Sequence, residues 1–199
     1  MELILATKNK HKVEELKKLF DDADLKMFSL LDLPNIPDVV EDGKTFLENA
    51  RKKAREIAAF TGKMTLADDT GLAVDALGGA PGVYSARYSG RDKDYQANNQ
   101  KLLEEMKKIP DEKRQAAFFC VMVLITPDGK EFDVEGRCEG LILRELKGDS
   151  GFGYDPLFFI PHLNKTLAEL TMDEKNKISH RGNALRKIRE IIRDRLIKL

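Results

Sequence analysis

A pair of adjacent carboxylates is the feature of this sequence that most calls for a chemical explanation. The stretch "LADDTGLAVD" (Leu66 to Asp75) places Asp68 and Asp69 side by side in an otherwise apolar run. Two neighbouring anions repel each other, and burial of an unpaired charge is costly. A purely structural strand has no reason to keep both, so we expect a cation beside the pair.

A third carboxylate, Glu41, ends the short strand that the pattern predicts in the segment "IPDVVED". Asp68 and Asp69 are expected to follow another strand, so three carboxylates meet at one sheet edge. Oxygen ligands of this kind suit Mg²⁺. Because neighbouring side chains of an extended chain point to opposite faces, one of the two aspartates is expected to be structural. The alternative is a pair of aspartates that cap turns.

The turn "ATKNKHK" carries Lys8, Lys10 and Lys12 beside Thr7 and Asn9, between a predicted strand and a predicted helix. Backbone amides at a helix start, surrounded by hydroxyl and ammonium donors, suit a polyphosphate. The turn lacks the glycines of a Walker loop or of a dinucleotide fingerprint. A solvated lysine cluster is the alternative.

The helix predicted from Thr45 places one lysine on its apolar side. With 100° per residue, Lys53 falls inside the arc of Phe46, Ala50, Ala54 and Ile57, whereas Lys52 points the opposite way. Such a lysine either extends its ammonium to the rim of the apolar surface or directs it into a cleft, towards an anion.

Two further segments favour recognition of a base. The loop "GDSGFGYDPLFF" combines glycines, which permit close backbone approach, with Phe152 and Tyr154 for stacking and Asp155 as an acceptor. "ISHRGNAL" places His180 and Arg181 at the start of the last predicted helix. An aromatic turn packed on the core and a solvated helix start are the respective alternatives.

Strand and helix patterns alternate along the chain and predict a mixed α/β fold. A strand, turn and helix open the chain, and a long hairpin turns at "PDG" (residues 127–129). Cys120 and Cys138 lie on the two arms of that hairpin and are interpreted as buried small hydrophobic residues without a disulfide.

Composition excludes several classes of protein. The 199 residues favour a single compact domain over 1–199. Lys plus Arg and Asp plus Glu both total 34, so no net charge attracts nucleic acid or a membrane. No apolar segment has the length of a secretory signal or of a spanning helix, and we expect a cytoplasmic protein.

Five segments, in order, resemble the motifs of the inosine/xanthosine triphosphate pyrophosphatase family: "ATKNKHKVEEL", "TFLENARKKA", "LADDTGLAVDALGGAPGVYSARYSG", "GFGYDPLFF" and "EKNKISHRGNAL". The resemblance runs from Leu5 to Leu185. It implies a Mg²⁺-dependent hydrolysis of non-canonical purine nucleoside triphosphates (dITP, ITP, XTP) to the monophosphate and pyrophosphate. It also implies an α/β fold of two lobes around a long mixed β-sheet with flanking helices, an active site in the cleft between the lobes, and a homodimer.

The resemblance also implies roles for individual residues. Glu41 and Asp69 would hold Mg²⁺, Asp69 would also be the base for the attacking water, and Asp68 would support it. Thr70 stands where many members have Ser, which keeps the hydroxyl. The triphosphate would be bound by Thr7, Lys8, Asn9, Lys10, His11, Lys12, Lys53 and Arg87. The base and sugar would be bound by Phe152, Gly153, Tyr154, Asp155, Lys175, His180 and Arg181.

Selectivity would come from the 6-keto oxygen of hypoxanthine and xanthine, which can accept a hydrogen bond from Arg181 or His180, whereas adenine presents an amino donor there. A buried hydrogen bond of this kind can discriminate by roughly 10⁴ to 10⁵ against a substrate that leaves it unpaired.

Two alternative functions remain: a nucleotide pyrophosphatase of another base specificity and a nucleotide-sensing binding module. A nucleic-acid-binding protein is disfavoured by the zero net charge.

Overall fold

The protein has an α/β fold, which a computed structural model describes for residues 2–19, 25–33, 35–91 and 94–196. The strands are β1 (Glu2–Leu5), β2 (Lys26–Ser29), β3 (Met64–Val74), β4 (Gln115–Ile125), β5 (Glu131–Ile142), β6 (Phe158–Ile160) and β7 (Lys165–Thr166). The α-helices are α1 (Lys10–Leu19), α2 (Phe46–Thr61), α3 (Tyr95–Glu105), α4 (Met172–Ile178) and α5 (His180–Ile191), the last continued by a π-helical segment, Ile192–Leu196.

The strands form one mixed sheet in the order β2-β1-β3-β4-β5-β6-β7. β1 pairs in parallel with β2 and β3, whereas β6 pairs antiparallel with β5 and β7. The predicted α/β class, with a mixed sheet and flanking helices, is confirmed. No helix within the described ranges is both long enough and apolar enough to cross a membrane.

Local sequence signals set the bounds of α2. The hydroxyl of Thr45 accepts a hydrogen bond from the amide of Glu48, and the Glu48 carboxylate accepts one from the amide of Thr45. This capping box satisfies amides that have no partner within the helix. At the other end Gly62 adopts the left-handed conformation (φ 64°) and donates its N–H to the carbonyl of Ala58.

The chain divides into two compact units. The first comprises residues 1–69, 120–136 and 181–199. Its strand side chains alternate between two apolar clusters, as a pleated sheet requires: Leu3 and Leu5 pack with residues of α1 and α5, whereas Ile4 packs with Ala54 and Ile57 of α2. Helices thus cover both faces of this part of the sheet.

The second unit comprises residues 70–119 and 137–180. Its core gathers buried side chains from β3, α3, β4, β5 and β6, among them Leu72, Leu102, Phe118, Ile142 and Phe158. Each unit therefore has a hydrophobic core of its own.

Some sequence predictions are wrong at the level of elements. The segment "IPDVVED", residues 36–42, is not a strand, and Asp68 and Asp69 lie inside β3 rather than after a strand. The short elements β2, β6, β7 and α4 were not predicted, because two to seven residues carry too little periodicity. Cys120 and Cys138 are both buried, as predicted.

Candidate functional site

Asp68, on β3 in the first unit, is a buried carboxylate between two cations. Its Oδ2 lies 2.7 Å from Nζ of Lys12 and 3.8 Å from Nε of Arg181. Burial alone would raise the pKa of the Asp68 carboxyl, but attraction to Lys12 and Arg181 outweighs burial and holds that pKa well below its usual range. Asp68 is therefore ionised at neutral pH.

Arg181, at the start of α5, is almost fully buried, with 2% of its surface exposed. Its Nη1 donates to the carboxylate of Glu15, which is itself buried on α1. Burial would lower the pKa of Arg181, but Glu15 and Asp68 outweigh burial and raise it. Two carboxylates thus fix the orientation of the guanidinium, and the solvated helix start considered from the sequence is excluded for Arg181.

Asp69 has different surroundings from its neighbour, because successive side chains of β3 point to opposite faces. Its Oδ2 accepts a hydrogen bond from Nδ2 of Asn49 (3.0 Å), and its Oδ1 lies 4.0 Å from Nζ of Lys53. The same Nζ lies 3.1 Å from Oε1 of Glu41. Burial raises the pKa of Asp69, and repulsion from the Glu41 carboxylate raises it further. Attraction to Lys53 and Lys12 opposes this shift but does not cancel it.

Asn49 explains how Glu41 reaches this position without a strand. While its Nδ2 donates to Asp69, its Oδ1 accepts from the amide of Gly43 at 2.8 Å. A Cβ on Gly43 would lie 2.7 Å from that Oδ1, so only glycine allows this approach without a shift. Asn49 therefore ties the segment that carries Glu41 to α2 and β3.

The donor set of Glu41 and Asp69 fits Mg²⁺. Both carboxylates lie within 4.0 Å of one ammonium group, so they converge on a position that already holds positive charge. No group of three or more His, Cys, Asp or Glu side chains in the described ranges could hold a metal. Mg²⁺ commonly takes one or two carboxylates and leaves its other positions to water and phosphate oxygens, so a pair suffices.

The lysine-rich turn caps α1. The Asn9 side chain accepts hydrogen bonds from the amides of His11 and Lys12, and the Thr7 hydroxyl accepts one from the amide of Asn9. Lys8 extends outwards and pairs with Asp38. Lys10 and His11 are exposed on the first turn of the helix. The turn thus gathers donors and positive charge at a helix N-terminus, as a phosphate requires.

In the second unit, the loop of residues 151–155 closes on its own carboxylate. Asp155 Oδ2 accepts from the amide of Phe152 (2.9 Å) and from Nζ of Lys175 (2.7 Å). That Nζ also lies 5.1 Å from the centroid of the Phe152 ring. A Cβ on Gly151 (φ +77°) would lie 2.2 Å from Asp155 Oδ2, so glycine is required where the loop closes.

The remaining predicted residues of the second unit make contacts of other kinds. Tyr154 is buried and donates its hydroxyl to the carbonyl of Ser85 at 3.0 Å. His180 is buried and stacks on Phe118 at 4.7 Å between ring centroids. Arg87 ends a 3₁₀-helix and lies 5.3 Å from the ring of Tyr84. Thr70 follows Asp69 in β3.

Four residues at these clusters were not predicted from the sequence as site residues: Glu15, Gly43, Asn49 and Asn99. Asn99 lies on α3 and donates to the carbonyl of Gly153 at 2.9 Å. Glu15 and Asn99 are buried polar residues on helices, and a polar residue on an apolar helical face is the signal that singled out Lys53. Nothing in the local sequence identifies Gly43, because its role depends on Asn49.

Comparison with known proteins gives consistent matches over nearly the whole chain. A model of the Ham1 family matches residues 3–191. The chain is 54% identical over 192 residues to a dITP/XTP pyrophosphatase of Desulforamulus reducens. The aligned region covers 96% of this chain and 96% of that protein.

Solved structures agree with the fold. A HAM1 protein from Coxiella burnetii superposes with a TM-score of 0.89 at 41% identity, over 98% of this chain and 99% of that chain. The Ham1 protein of Staphylococcus aureus gives a TM-score of 0.87 at 38% identity, over 97% of this chain and 98% of that chain.

Proposed function

The chain belongs to the Ham1 family, and on that premise we propose that it hydrolyses dITP, ITP and XTP to the nucleoside monophosphate and pyrophosphate. Such an enzyme removes non-canonical purine nucleotides before they enter DNA or RNA. The observation that carries the proposal is the cluster of Asp69, Glu41 and Lys53, in which two carboxylates converge on one buried ammonium.

Asp69 is the proposed catalytic base. Its pKa is raised by burial and by Glu41, and a carboxylate with a raised pKa accepts a proton more readily near neutral pH. Asp69 would take the proton of the water that attacks phosphorus. Glu41 and Asp69 would together hold Mg²⁺, which would supply Lewis-acid polarisation of the phosphate oxygens.

The cations of the first unit would bind the triphosphate and stabilise the leaving group. Lys12 and Lys53 each lie against a buried aspartate, and the donors of the α1 turn complete the proposed set: Thr7, Lys8, Asn9, Lys10 and His11. In the second unit, Thr70 and Arg87 are proposed as residues that bind phosphate. Negative charge builds on pyrophosphate as it leaves, and preorganised cations stabilise it without rearrangement.

The second unit would contribute the base site through Phe152, Gly153, Tyr154, Asp155 and Lys175. Phe152 would stack on the purine, while Arg181 and His180 remain the predicted donors to the 6-keto oxygen. The two carboxylates that hold Arg181 support this role, because a fixed donor discriminates better than a mobile one. We further propose that the enzyme acts in the cytoplasm and as a homodimer. Analytical ultracentrifugation at micromolar protein concentration tests the dimer, because it measures the mass of the protein in solution.

A panel of nucleoside triphosphates tests the function. ITP, dITP, XTP, GTP and ATP are each assayed for pyrophosphate release with and without Mg²⁺. We expect Mg²⁺-dependent turnover with a strong preference for dITP, ITP and XTP over ATP and a smaller preference over GTP. Tight binding without Mg²⁺-dependent turnover would indicate a nucleotide-sensing module, and faster turnover of modified pyrimidine nucleotides would indicate another base specificity.

Substitution of the two adjacent aspartates tests the mechanism. Asp69→Asn removes the base and a metal ligand, so kcat/KM should fall by more than about tenfold, which is about 1.4 kcal/mol or more. The unfolding midpoint should stay the same or rise, because the substitution removes an anion whose pKa is raised by burial.

Asp68→Asn is the matched variant. It leaves Lys12 and Arg181 with a neutral partner in place of a buried carboxylate, so it should lower the unfolding midpoint as well as activity. If Asp69→Asn retained more than about a tenth of the wild-type kcat/KM, the assignment of Asp69 as base would be wrong.

A further inference from the structure

Helix α3 contacts the loop of residues 151–155 at two points. Nδ2 of Asn99 donates to the carbonyl oxygen of Gly153 at 2.9 Å. One turn earlier on the helix, the ring of Tyr95 lies against the ring of Phe152, with centroids 5.9 Å apart and planes inclined by 45°. All four residues belong to the second unit. Together these contacts fix one backbone carbonyl and one aromatic ring of the loop.

Gly153 makes the backbone contact consequential. Its φ is +66°, in the left-handed region. Glycine adopts positive and negative φ values at similar energy, so its own backbone does not fix the conformation of the loop. The carbonyl of Gly153 belongs to the peptide group that joins Gly153 to Tyr154, and a hydrogen bond to this carbonyl selects one orientation of that group. The position of Asn99 therefore affects the loop residues on either side of that peptide.

Stability alone does not account for the amide at position 99. The side chain is buried, with 7% of the residue exposed, and its Oδ1 has no hydrogen-bond partner among the described residues. A buried acceptor without a partner costs at least as much as one hydrogen bond gains. An apolar side chain of the same shape would serve packing as well, so the hydrogen bond to Gly153 is the feature that distinguishes asparagine here.

The preceding residue, Asn98, provides a comparison within the same helix. It is also buried, but its Oδ1 accepts from the amide of Ser89 and its Nδ2 donates to the carbonyl of Ala86 at 3.1 Å. These contacts hold the segment that contains Arg87. Two adjacent asparagines of α3 thus hold two different segments of the second unit.

We propose that Tyr95 and Asn99 are positioning residues that set the base selectivity of the enzyme by fixing the Phe152 ring and the Gly153 carbonyl. This inference rests on the proposed function, because it assigns the loop of residues 151–155 to the base. A stacking ring that shifts on the purine changes the alignment of every hydrogen bond to the base edge. Selectivity between bases should then fall before the chemistry at the phosphates is affected.

The test compares Asn99→Leu with Asn98→Leu, two isosteric substitutions at adjacent buried positions. Asn99→Leu should lower kcat/KM for ITP about tenfold more than for ATP, mostly through KM, and so narrow the ratio between the two substrates. Asn98→Leu disturbs the segment that carries Arg87, so it should lower kcat/KM for both triphosphates by a similar factor. An unchanged ITP to ATP ratio in folded Asn99→Leu would overturn the proposal.

A second pair of variants serves if Asn99→Leu does not fold. Tyr95 is only partly buried, so its replacement is compatible with the fold. Tyr95→Ala removes the ring and should narrow the ratio of kcat/KM for ITP to kcat/KM for ATP. Tyr95→Phe keeps the ring and should leave this ratio at the wild-type value. Equal ratios in all three proteins would overturn the role of Tyr95. A wild-type protein that shows no preference for ITP would instead refute the proposed function.

Discussion

The different surroundings of Asp68 and Asp69 follow from a simple property of extended chain. Side chains of neighbouring strand residues leave on opposite faces, so one carboxylate meets Lys12 and Arg181 and the other meets Asn49 and Lys53. Two adjacent anions are therefore tolerated because they do not share an environment. The pKa is lowered for Asp68 and raised for Asp69, in keeping with the proposed supporting role of the first and the proposed catalytic role of the second.

Lys53 and Lys52 test the role of the ammonium beside Asp69. Lys53 is 8% exposed and lies between two carboxylates, whereas Lys52 pairs with Asp42 at 2.7 Å on the exposed side of α2. Lys53→Met keeps the length of the side chain and removes the charge. We expect kcat/KM for ITP to fall at least about tenfold, since the variant loses a cation that is proposed to face the phosphates. Steady-state kinetics with ITP measures the effect.

Lys52→Met is the control for this prediction. It removes an exposed ion pair, whose contribution is about 0–1 kcal/mol, and should leave kcat/KM within about twofold of the wild type. Equal kinetic effects of the two variants would contradict the prediction. So would a Lys53→Met protein that loses melting temperature and keeps its activity, since the ammonium would then serve only the fold.

At the scale of elements, α2 presents both polar groups of the Asp69 cluster. Asn49 and Lys53 are four residues apart, on the same face of the helix as Ala50, Ala54 and Ile57. Packing of the three apolar side chains under the sheet fixes the rotation of the helix about its axis. The start of the helix then fixes the position of Asn49, only one turn from the capping box.

Thr45→Ala tests this dependence. Loss of the capping hydroxyl should reduce the free energy of unfolding by about 1 kcal/mol, which lowers the melting temperature by about 2–4 °C in a chain of this length. Thr45→Ser keeps the hydroxyl and should restore most of the loss. A Thr45→Ala protein with unchanged melting temperature, measured by calorimetry, would show that tertiary packing alone defines the start of α2.

The sequence predicts elements whose signals are local. The 3.6-residue period places Lys53 on the buried face of α2, and the residues at 45, 48 and 62 predict where that helix begins and ends; the structure confirms both. Alternating and apolar runs likewise predict β4 and β5. These features depend on neighbours a few residues away, which the sequence displays directly.

Long-range contacts account for what the sequence does not predict. Arg181 meets Glu15 across 166 residues, so no local pattern reveals that the helix start is buried. The sequence of residues 36–42 predicts a strand, but the residue that follows it, Gly43, donates its amide to Asn49 of α2 rather than to a neighbouring strand. Conversely, β6 consists of three residues and forms because it pairs with β5 and β7, not because of its own composition.

At the scale of the whole molecule, both units bury ionisable groups, some in charged pairs and some as neutral side chains. The first buries charged pairs, such as Lys12 with Asp68 and Glu15 with Arg181. Each unit also buries a cysteine, Cys120 in the first and Cys138 in the second, and the second buries the phenol of Tyr154. The thiol of Cys138 and the phenol of Tyr154 are neutral at pH 7. Ionisation of the neutral groups should therefore limit the stability of the protein at alkaline pH.

Burial raises the pKa of Cys138 from 9.0 to about 11, and the nearby carboxylates of Asp155 and Glu139 add to the shift. Burial also raises the pKa of Tyr154. Above about pH 9 the unfolded chain releases the Cys138 proton while the folded chain retains it, so the unfolded state binds fewer protons. The contribution of Cys138 to stability is then complete below pH 9 and is lost as pH rises through 11.

We therefore expect the free energy of unfolding, measured by urea denaturation, to fall between pH 9 and pH 11, with up to about 1.4 kcal/mol per pH unit from this one proton. Cys138→Ala removes the thiol and should show a shallower decline over the same interval, whatever its stability at pH 7. Because the comparison uses slopes, packing lost on truncation does not affect it. Parallel declines in the two proteins would show that the thiol of Cys138 does not limit alkaline stability, and that Tyr154 or the lysines do.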